Sequence, residues 1–525
     1  MNLARAIATV GGLTMFSRIA GFIRDILAAA VLGAGPVNDA FVVALKLPNL
    51  FRRLFAEGAF HVSFVPMFAG IVQAEGQNEG LRFAEQAMAA LLLVLVPLTL
   101  LAELAMPWII PVIAPGFGDD PVRLQMAVDL SRITFPYLAL ISLVALTGGM
   151  LNALGRFGPF AEGPILFNAC LILSLVLAWA LPHHVSAAPA MAWAVTISGI
   201  LQLLWMVRAL RQEKVSLRLV RPQMTERVKR LLALMGPGAL GAGALQVNVV
   251  VDILFASFLP AGAISWLYYA DRLNQLPLGV IGVAIGTTLL PMLSRQVKAG
   301  QIREVGESLN RAMEFALLLT FPAAVALCVA AHPLVTALFQ RGGFGPADSA
   351  ATAMALAAYA AGIPAWVLVK IFATGFFARE DTSSPVRMAV ISAVFNTLLA
   401  ATLVWPLQHT GLALATACSG WLQAGLLARE LHKKEYLVLD SRLRHRGPRI
   451  IAAGLLAGLV LWLLSQVLAP WFGGTLWVRI LALGGLVGGG ACTYFGAAQV
   501  LGAFRLQDIR SLMKNRQETS APPAV

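Results

Sequence analysis

Charged residues are scarce in this chain of 525 residues: Asp, Glu, Lys and Arg together make up 12%, against about 25% in soluble proteins. Hydrophobic residues make up 58%, and the mean hydropathy is +0.78. These values exclude an ordinary soluble protein. The composition predicts an all-α polytopic membrane protein.

Cysteine and histidine are rare as well, with four and seven copies. The cysteines lie inside apolar runs without close pairs or metal-ligand spacing, so we interpret them as small core residues and expect no metal or other cofactor. A phosphate-binding Gly-rich loop with Lys-Ser/Thr is also missing, so any energy that the protein uses is expected to come from a Na⁺ or H⁺ gradient or from the membrane potential.

Apolar runs of about 20 residues predict about fourteen transmembrane helices. They fall at roughly 6–32, 37–55, 86–110, 130–151, 160–181, 187–207, 233–258, 263–291, 313–336, 350–375, 385–405, 409–428, 450–469 and 477–502, with an amphipathic surface segment at 57–80. Of the 39 Lys and Arg residues, three are assigned to predicted outer loops, namely Arg123, Arg341 and Arg479, and six to predicted helices, namely Arg18, Arg24, Lys46, Arg132, Arg272 and Lys370. The remainder lie in segments predicted to be cytoplasmic, so both termini are expected in the cytoplasm and no nucleic-acid partner is expected.

An internal repeat divides the chain. The Gly-Phe-Gly triplet at 116–118 recurs at 343–345, and Pro136 and Asn168 have counterparts in Pro364 and Asn396. We predict two homologous six-helix lobes followed by two C-terminal helices. The predicted parts are an N-lobe at 1–210, a basic cytoplasmic linker at 211–230, a C-lobe at 231–430, a second basic linker at 431–449, the appended helices at 450–502 and a cytoplasmic tail at 503–525.

Ionisable side chains interrupt the first predicted helix, although each costs about 2.5–3.5 kcal/mol at membrane depth. Arg18 and Asp25 are seven residues apart, as are Ser17 and Arg24. Seven residues make two helical turns, so these pairs predict one polar, cationic face.

The second predicted helix carries a comparable stripe. Asp39, Lys46 and Arg53 are again seven residues apart, with Asn49 and Arg52 beside them. We expect this stripe to form one wall of a polar path across the membrane.

The eighth predicted helix supplies Asp271 and Arg272. Facing charged helices predict a central hydrophilic cavity with excess positive charge, and the planar fork of arginine suits a diphosphate. The alternative is neutral intramembrane pairs, such as Arg24 with Asp25, but sequence neighbours point about 100° apart on a helix and are expected to pair poorly. Asp252 is a candidate cation or proton site, or a structural acid.

The runs SRIAGFIRD, DAFVVALKLPNLFRRLFAEGAFHVSFVPMF and SWLYYADRLNQLPLGVIGVAIGTTLLP closely resemble the MurJ (MviN) family of lipid II flippases, within the multidrug/oligosaccharidyl-lipid/polysaccharide exporter superfamily. The resemblance implies fourteen helices in two lobes around a cationic cavity, and alternating access that moves lipid-linked peptidoglycan precursor across the bacterial cytoplasmic membrane. It implies that the cavity is lined by Arg18, Arg24, Asp39 and Arg272. It also implies residues nearby or needed for closure, namely Ser17, Asn49, Arg52, Arg53, Glu57 and Asp271.

The resemblance further implies a groove for the polyprenyl tail beside the two appended helices. Some family members have an acid where this chain has Gln275, and some have a sodium site, for which Asp252 is the matching acid here. The implied partners are lipid II (undecaprenyl diphosphate-muropeptide), membrane phospholipid and cell-wall synthesis proteins. The alternatives are a flippase for another polyprenyl-linked glycan, a drug exporter, a membrane enzyme acting on polyprenyl diphosphates and a cell-wall scaffold.

Overall fold

The computed structural model describes residues 3–53 and 60–503, and regular structure within these ranges is helical throughout. The α-helices are α1 (Leu3–Leu32), α2 (Pro36–Phe51), α3 (His61–Glu75), α4 (Gln77–Ile113), α5 (Pro121–Thr134), α6 (Tyr137–Ala153), α7 (Gly158–Ala180), α8 (Ala187–Gln212), α9 (Glu226–Ser257), α10 (Ala263–Lys298), α11 (Ile302–Val329), α12 (Ala331–Phe339), α13 (Pro346–Ala360), α14 (Ile363–Phe377), α15 (Ser383–Lys433), α16 (Ser441–Leu468) and α17 (Leu476–Val500).

The all-α membrane fold is confirmed, and each of the predicted segments overlaps a helix. Within the described ranges, nine helical segments are long and apolar enough to cross a membrane. One of them, α15, has 51 residues, and a rise of about 1.5 Å per residue makes it long enough to cross twice. The total of fourteen spans stays a prediction.

Two helices that the hydrophobic pattern had joined are broken close to a proline. The helix predicted over 130–151 is broken near Pro136, which lacks the amide hydrogen needed to continue the ladder from α5 into α6. The helix predicted over 350–375 breaks before Pro364, which sits in the first turn of α14. By contrast, the predicted break near 406–408 is present within α15, where Gln408 has φ 50° and ψ −136°.

Two features of the structure recur at the spacing of the internal repeat. Helix α2 begins at Pro36 and α10 at Ala263, and this spacing equals the one between the two Gly-Phe-Gly triplets. Both triplets bury their central ring, since Phe117 and Phe344 are almost fully covered. These two correspondences agree with the predicted repeat, while the lobe boundaries predicted at 210 and 231 stay a prediction.

The described chain forms two compact units. The first comprises the described residues up to Tyr268 together with Arg341–Asp348, and the second comprises Tyr269–Gln340 together with the described residues from Ser349 onward. In the first unit, α7 packs between α1 and α8, and α2 packs on α5. Helix α3, which lies in the predicted amphipathic segment, buries Phe64 and Phe68 and leaves its opposite face exposed.

In the second unit, α16 packs between α11 and α17. A Cβ added at Gly454 or Gly458 of α16 would lie within 2.6 Å of Phe321 or 2.5 Å of Val325 on α11, so small residues permit this close approach. The groove predicted beside these appended helices stays a prediction.

Candidate substrate-binding site

Arg24 and Asp25 lie on α1 and are almost fully buried, with 7% and 3% exposure. The Nε and Nη2 atoms of Arg24 donate to Oδ1 of Asp25 at 3.0 and 2.6 Å. The expectation that these sequence neighbours would pair poorly is therefore wrong. The reason is the length of the arginine side chain, which lets the guanidinium fold back along the helix to reach the carboxylate.

Two further groups hold the same guanidinium. Nη1 of Arg24 donates to Oδ1 of Asn168 on α7 at 2.9 Å, and Nη2 reaches the hydroxyl of Tyr268 on α10 at 3.4 Å. Tyr268 in turn donates to Asp25 at 3.2 Å. Arg24 is thus held by hydrogen bonds with residues of α1, α7 and the first turns of α10.

Asn168 was noted in the sequence as part of the repeat, without a role at this site. Its Nδ2 donates to the carbonyl oxygen of Ser17 at 3.0 Å, and a Cβ added at Gly21 would lie 3.5 Å from the same nitrogen. The available signal was an amide within the mostly apolar sequence of α7, since a buried amide requires partners.

Asp39 is fully buried and accepts four hydrogen bonds. Oδ2 accepts from Nη2 of Arg123 and from the amide of Gly262, at 2.6 and 2.7 Å, while Oδ1 accepts from the amide and hydroxyl of Ser265, at 2.8 and 2.6 Å. Two of the donors are backbone amides at the start of α10, where a helix attracts negative charge. Asp39 therefore ties α2 to α5 and to the beginning of α10.

The sequence had assigned Arg123 to an outer loop, but this assignment is wrong: Arg123 lies in the first turn of α5. Arg123 is 5% exposed, and its guanidinium lies 4.0 Å from the centroid of the Phe117 ring. No spacing rule links it to Asp39, because the two residues belong to separate helices that only folding brings together.

The turn between α1 and α2 packs against the second Gly-Phe-Gly triplet. The amide of Gly343 donates to the carbonyl of Ala30 at 2.8 Å. Gly33 has φ +69°, and a Cβ there would lie 2.4 Å from the carbonyl oxygen of Gly343. At this predicted outer end, the first unit therefore combines segments from both repeats.

The other predicted residues of α1 and α2 are less buried. Arg18 is exposed and Lys46 is half-buried. Asn49 donates to the carbonyl of Leu45 at 2.8 Å and accepts from Arg52 at 3.2 Å. Of the remaining predicted closure residues of this region, Arg53 is exposed and Glu57 lies outside the described residues.

Asp271 and Arg272 lie in the second unit and are half-buried. Asp271 accepts a hydrogen bond from Gln275, one helical turn further along α10. Asp252 is half-buried on α9, and its role as a cation site stays a prediction. Among the residues that the structure describes, no group of three or more His, Cys, Asp or Glu side chains is arranged to hold a metal ion.

Solved transporter structures share this fold. One, described as lipid II flippase MurJ in an inward closed conformation, has a TM-score of 0.78 and 24% identity, over 94% of this chain and 98% of that chain. Another, an inward-facing multidrug resistance MATE family transporter of the MOP superfamily, has a TM-score of 0.70 and 13% identity, over 82% of this chain and 98% of that chain. The chain therefore shares the fold of these two proteins.

Sequence comparison identifies the family. The family model for lipid II flippase MurJ matches residues 28–482. The probable lipid II flippase MurJ of Rhizobium meliloti (strain 1021) is 42% identical over 525 residues, covering 99% of this chain and 98% of the relative. The lipid II flippase MurJ of Burkholderia cenocepacia is 35% identical over 467 residues, covering 88% and 90%. The chain belongs to the MurJ family of transporters, which confirms the resemblance.

Proposed function

We propose that this protein is a lipid II flippase of the bacterial inner membrane. It moves the undecaprenyl diphosphate-linked peptidoglycan precursor from the cytoplasmic to the periplasmic leaflet by alternating access, and so serves cell-wall synthesis and cell shape. Both termini are proposed to be cytoplasmic. The observation that carries this proposal is the buried, hydrogen-bonded guanidinium of Arg24 in a member of the MurJ family.

Arg24 supports recognition of a diphosphate for an energetic reason. A charged group at membrane depth is costly and is usually retained for function. Its planar fork can bind two phosphate oxygens at once and stays charged at any physiological pH. Asp25 compensates the charge while no substrate is bound, so the diphosphate has to compete with one carboxylate for the guanidinium.

In the proposed transport cycle, Arg24 and Asp39 each change the groups that they bind. Arg24, together with Arg18 and Arg272, captures the diphosphate from the cytoplasmic side, and the loss of net charge favours closure there. The contacts of Asp39 with Arg123 and with the start of α10 then have to open to release the precursor outside. Substrate binding drives this change only as far as it favours the closed state over the open one.

The proposal also names candidates for the driving force of translocation. Asp252 is the proposed cation or proton site, Gln275 stands where some family members have an acid, and the membrane potential is the third candidate. Phospholipid surrounds the protein, and cell-wall synthesis proteins are proposed partners.

The test is lipid II translocation by the purified full chain in proteoliposomes. Arg24→Ala is expected to abolish translocation while the protein still inserts and folds. Arg82→Ala is the matched control, because Arg82 pairs with Glu79 on the surface and its side chain is 76% exposed. Normal translocation by Arg24→Ala would contradict the assigned site.

The translocation assay, together with a growth-rescue experiment, separates the alternatives. Translocation with and without a membrane potential, a Na⁺ gradient or a pH gradient identifies the driving force. A preference for another polyprenyl-linked glycan or for a cationic drug would assign a different cargo. A cell-wall scaffold predicts that growth of cells depleted of their own flippase is rescued equally well by Arg24→Ala, and an enzyme predicts chemical change of the lipid.

A further inference from the structure

Asn168 connects the candidate arginine to the backbone of its own helix. Its Oδ1 accepts from Nη1 of Arg24 at 2.9 Å, and its Nδ2 donates to the carbonyl oxygen of Ser17, two turns earlier on α1, at 3.0 Å. The amide therefore uses both of its functional atoms on α1. It is 6% exposed, so these bonds are protected from competition by water.

The amide also fixes the approach of the two helices. Gly21 lies between Ser17 and Arg24 on the same face of α1, and a Cβ there would be in ordinary contact with the amide of Asn168. Helices α1 and α7 pack closely at this level. The position of the guanidinium relative to α7 is therefore set by the side chain of Asn168.

The side chain of Asn168 differs from that of Asp25, the other acceptor for Arg24, in carrying no charge. Asp25 already supplies one negative charge to Arg24 at 2.6 Å. A second carboxylate in place of the amide would give the cluster of two acids and one arginine a net negative charge. Such a cluster would repel a diphosphate, whereas an amide orients the guanidinium and leaves its charge unchanged.

We propose that Asn168 is a positioning residue for the diphosphate: its neutral amide holds Arg24 in a fixed orientation without adding a charge that would compete with the substrate. This inference rests on the proposed function of Arg24. It assigns to α7 a part in substrate recognition that acts through the arginine of α1.

The test compares two probes with the same tail. The affinity of the purified full chain is measured for undecaprenyl diphosphate and for undecaprenol, which lacks the diphosphate, and the ratio of the two affinities reports recognition of the charged group. Asn168→Asp is expected to lower this ratio at least tenfold. Asn168→Leu, which loses the hydrogen bond to a charged group at similar volume, is expected to lower it about tenfold.

Asn310→Asp is the matched control. Asn310 on α11 is also buried, its Nδ2 donates to the backbone carbonyls of Gly306 and Val438, and its Oδ1 accepts from the amide of Asp440, but it belongs to the second unit. Its substitution makes the same chemical change and should leave the ratio unaltered. Thermal unfolding of each variant checks that it is folded, and Asn168→Leu replaces Asn168→Asp if the latter is not.

The outcomes distinguish the two proposals. An unchanged ratio in the Asn168 variants, or an equal loss of affinity for both probes, overturns the role of Asn168, because a purely structural defect affects both probes. If Arg24→Ala lowers the ratio while the Asn168 variants do not, the proposed function stands and the positioning role fails. If Arg24→Ala leaves the ratio unchanged, recognition of the diphosphate by Arg24 fails as well.

Discussion

Replacing Asp39 with Asn should destabilise the first unit more than most single substitutions. Asp39 has no exposure and Arg123 has 5%, so the variant leaves a buried arginine without its counter-ion. The new amide also has one donor group where the carboxylate had an acceptor. It must face either the pair of donors on Arg123 and Gly262 or the two donors of Ser265.

The expected loss follows from these contacts. Removing one partner of a buried ion pair costs about 3–5 kcal/mol, and a buried donor that loses its acceptor costs about 1–3 kcal/mol. The oxygen of the new amide can still accept hydrogen bonds from Ser265. We therefore expect Asp39→Asn to lower the free energy of unfolding by about 3–5 kcal/mol in total. Arg123→Met should cost about 3 kcal/mol, since Asp39 retains its three bonds to Gly262 and Ser265.

The assay is the free energy of unfolding from detergent titration, measured as a double-mutant cycle. The Asp39→Asn and Arg123→Met double variant should lose less than the sum of the single losses, by about 0.5–3 kcal/mol. Glu79→Gln is the control, because the Glu79–Arg82 pair is on the surface and should contribute about 0–1 kcal/mol. Additive losses, or a loss for Asp39→Asn no larger than the control, would refute the reasoning.

Two further predictions concern the turn after α1 and a loop of the second unit. Gly33→Ala should destabilise the protein by at least about 1–3 kcal/mol in the same titration, because φ is +69° and the new Cβ would meet the carbonyl oxygen of Gly343 at 2.4 Å. In the loop before α15, hydrogen bonds from Ser384, followed by Lys434, lower the pKa of Asp381 from its ordinary value of 3.8 to about 2. Its stabilising effect is therefore complete above a pH of about 4 and is lost as the pH falls through about 2, so Asp381→Asn should remove that part of the acid sensitivity of unfolding.

Each of these predictions has its own control. Gly35→Ala should be nearly neutral, because φ at Gly35 is −143° and no atom lies within 4 Å of the added Cβ. Equal losses at Gly33 and Gly35 would show that the close approach is unimportant. For Asp381, an unfolding free energy that falls equally in wild type and variant between a pH of about 4 and about 2 would show that other carboxylates account for the acid sensitivity.

The sequence by itself determined the fold class, the repeat and the family. Hydrophobic runs specify helices because lipid leaves a backbone few other ways to satisfy its hydrogen bonds. The sequence also predicted the break near 406–408, where Gln408 interrupts α15, but it missed the break before Pro364. Ser17 and Arg24, seven residues apart, both contact Asn168, because helical spacing is a local property that places them on one side of α1.

The tertiary structure decided which partners these charged groups have. Arg24 bonds to Asp25 and Asn168, and Asp39 bonds to Arg123, although periodicity had argued against the first contact and had no means to find the others. Pairing between helices depends on how they pack and on the reach of flexible side chains, and neither is encoded in the spacing along one helix. The sequence located the charged residues, and only folding determined which of them pair with each other in buried contacts.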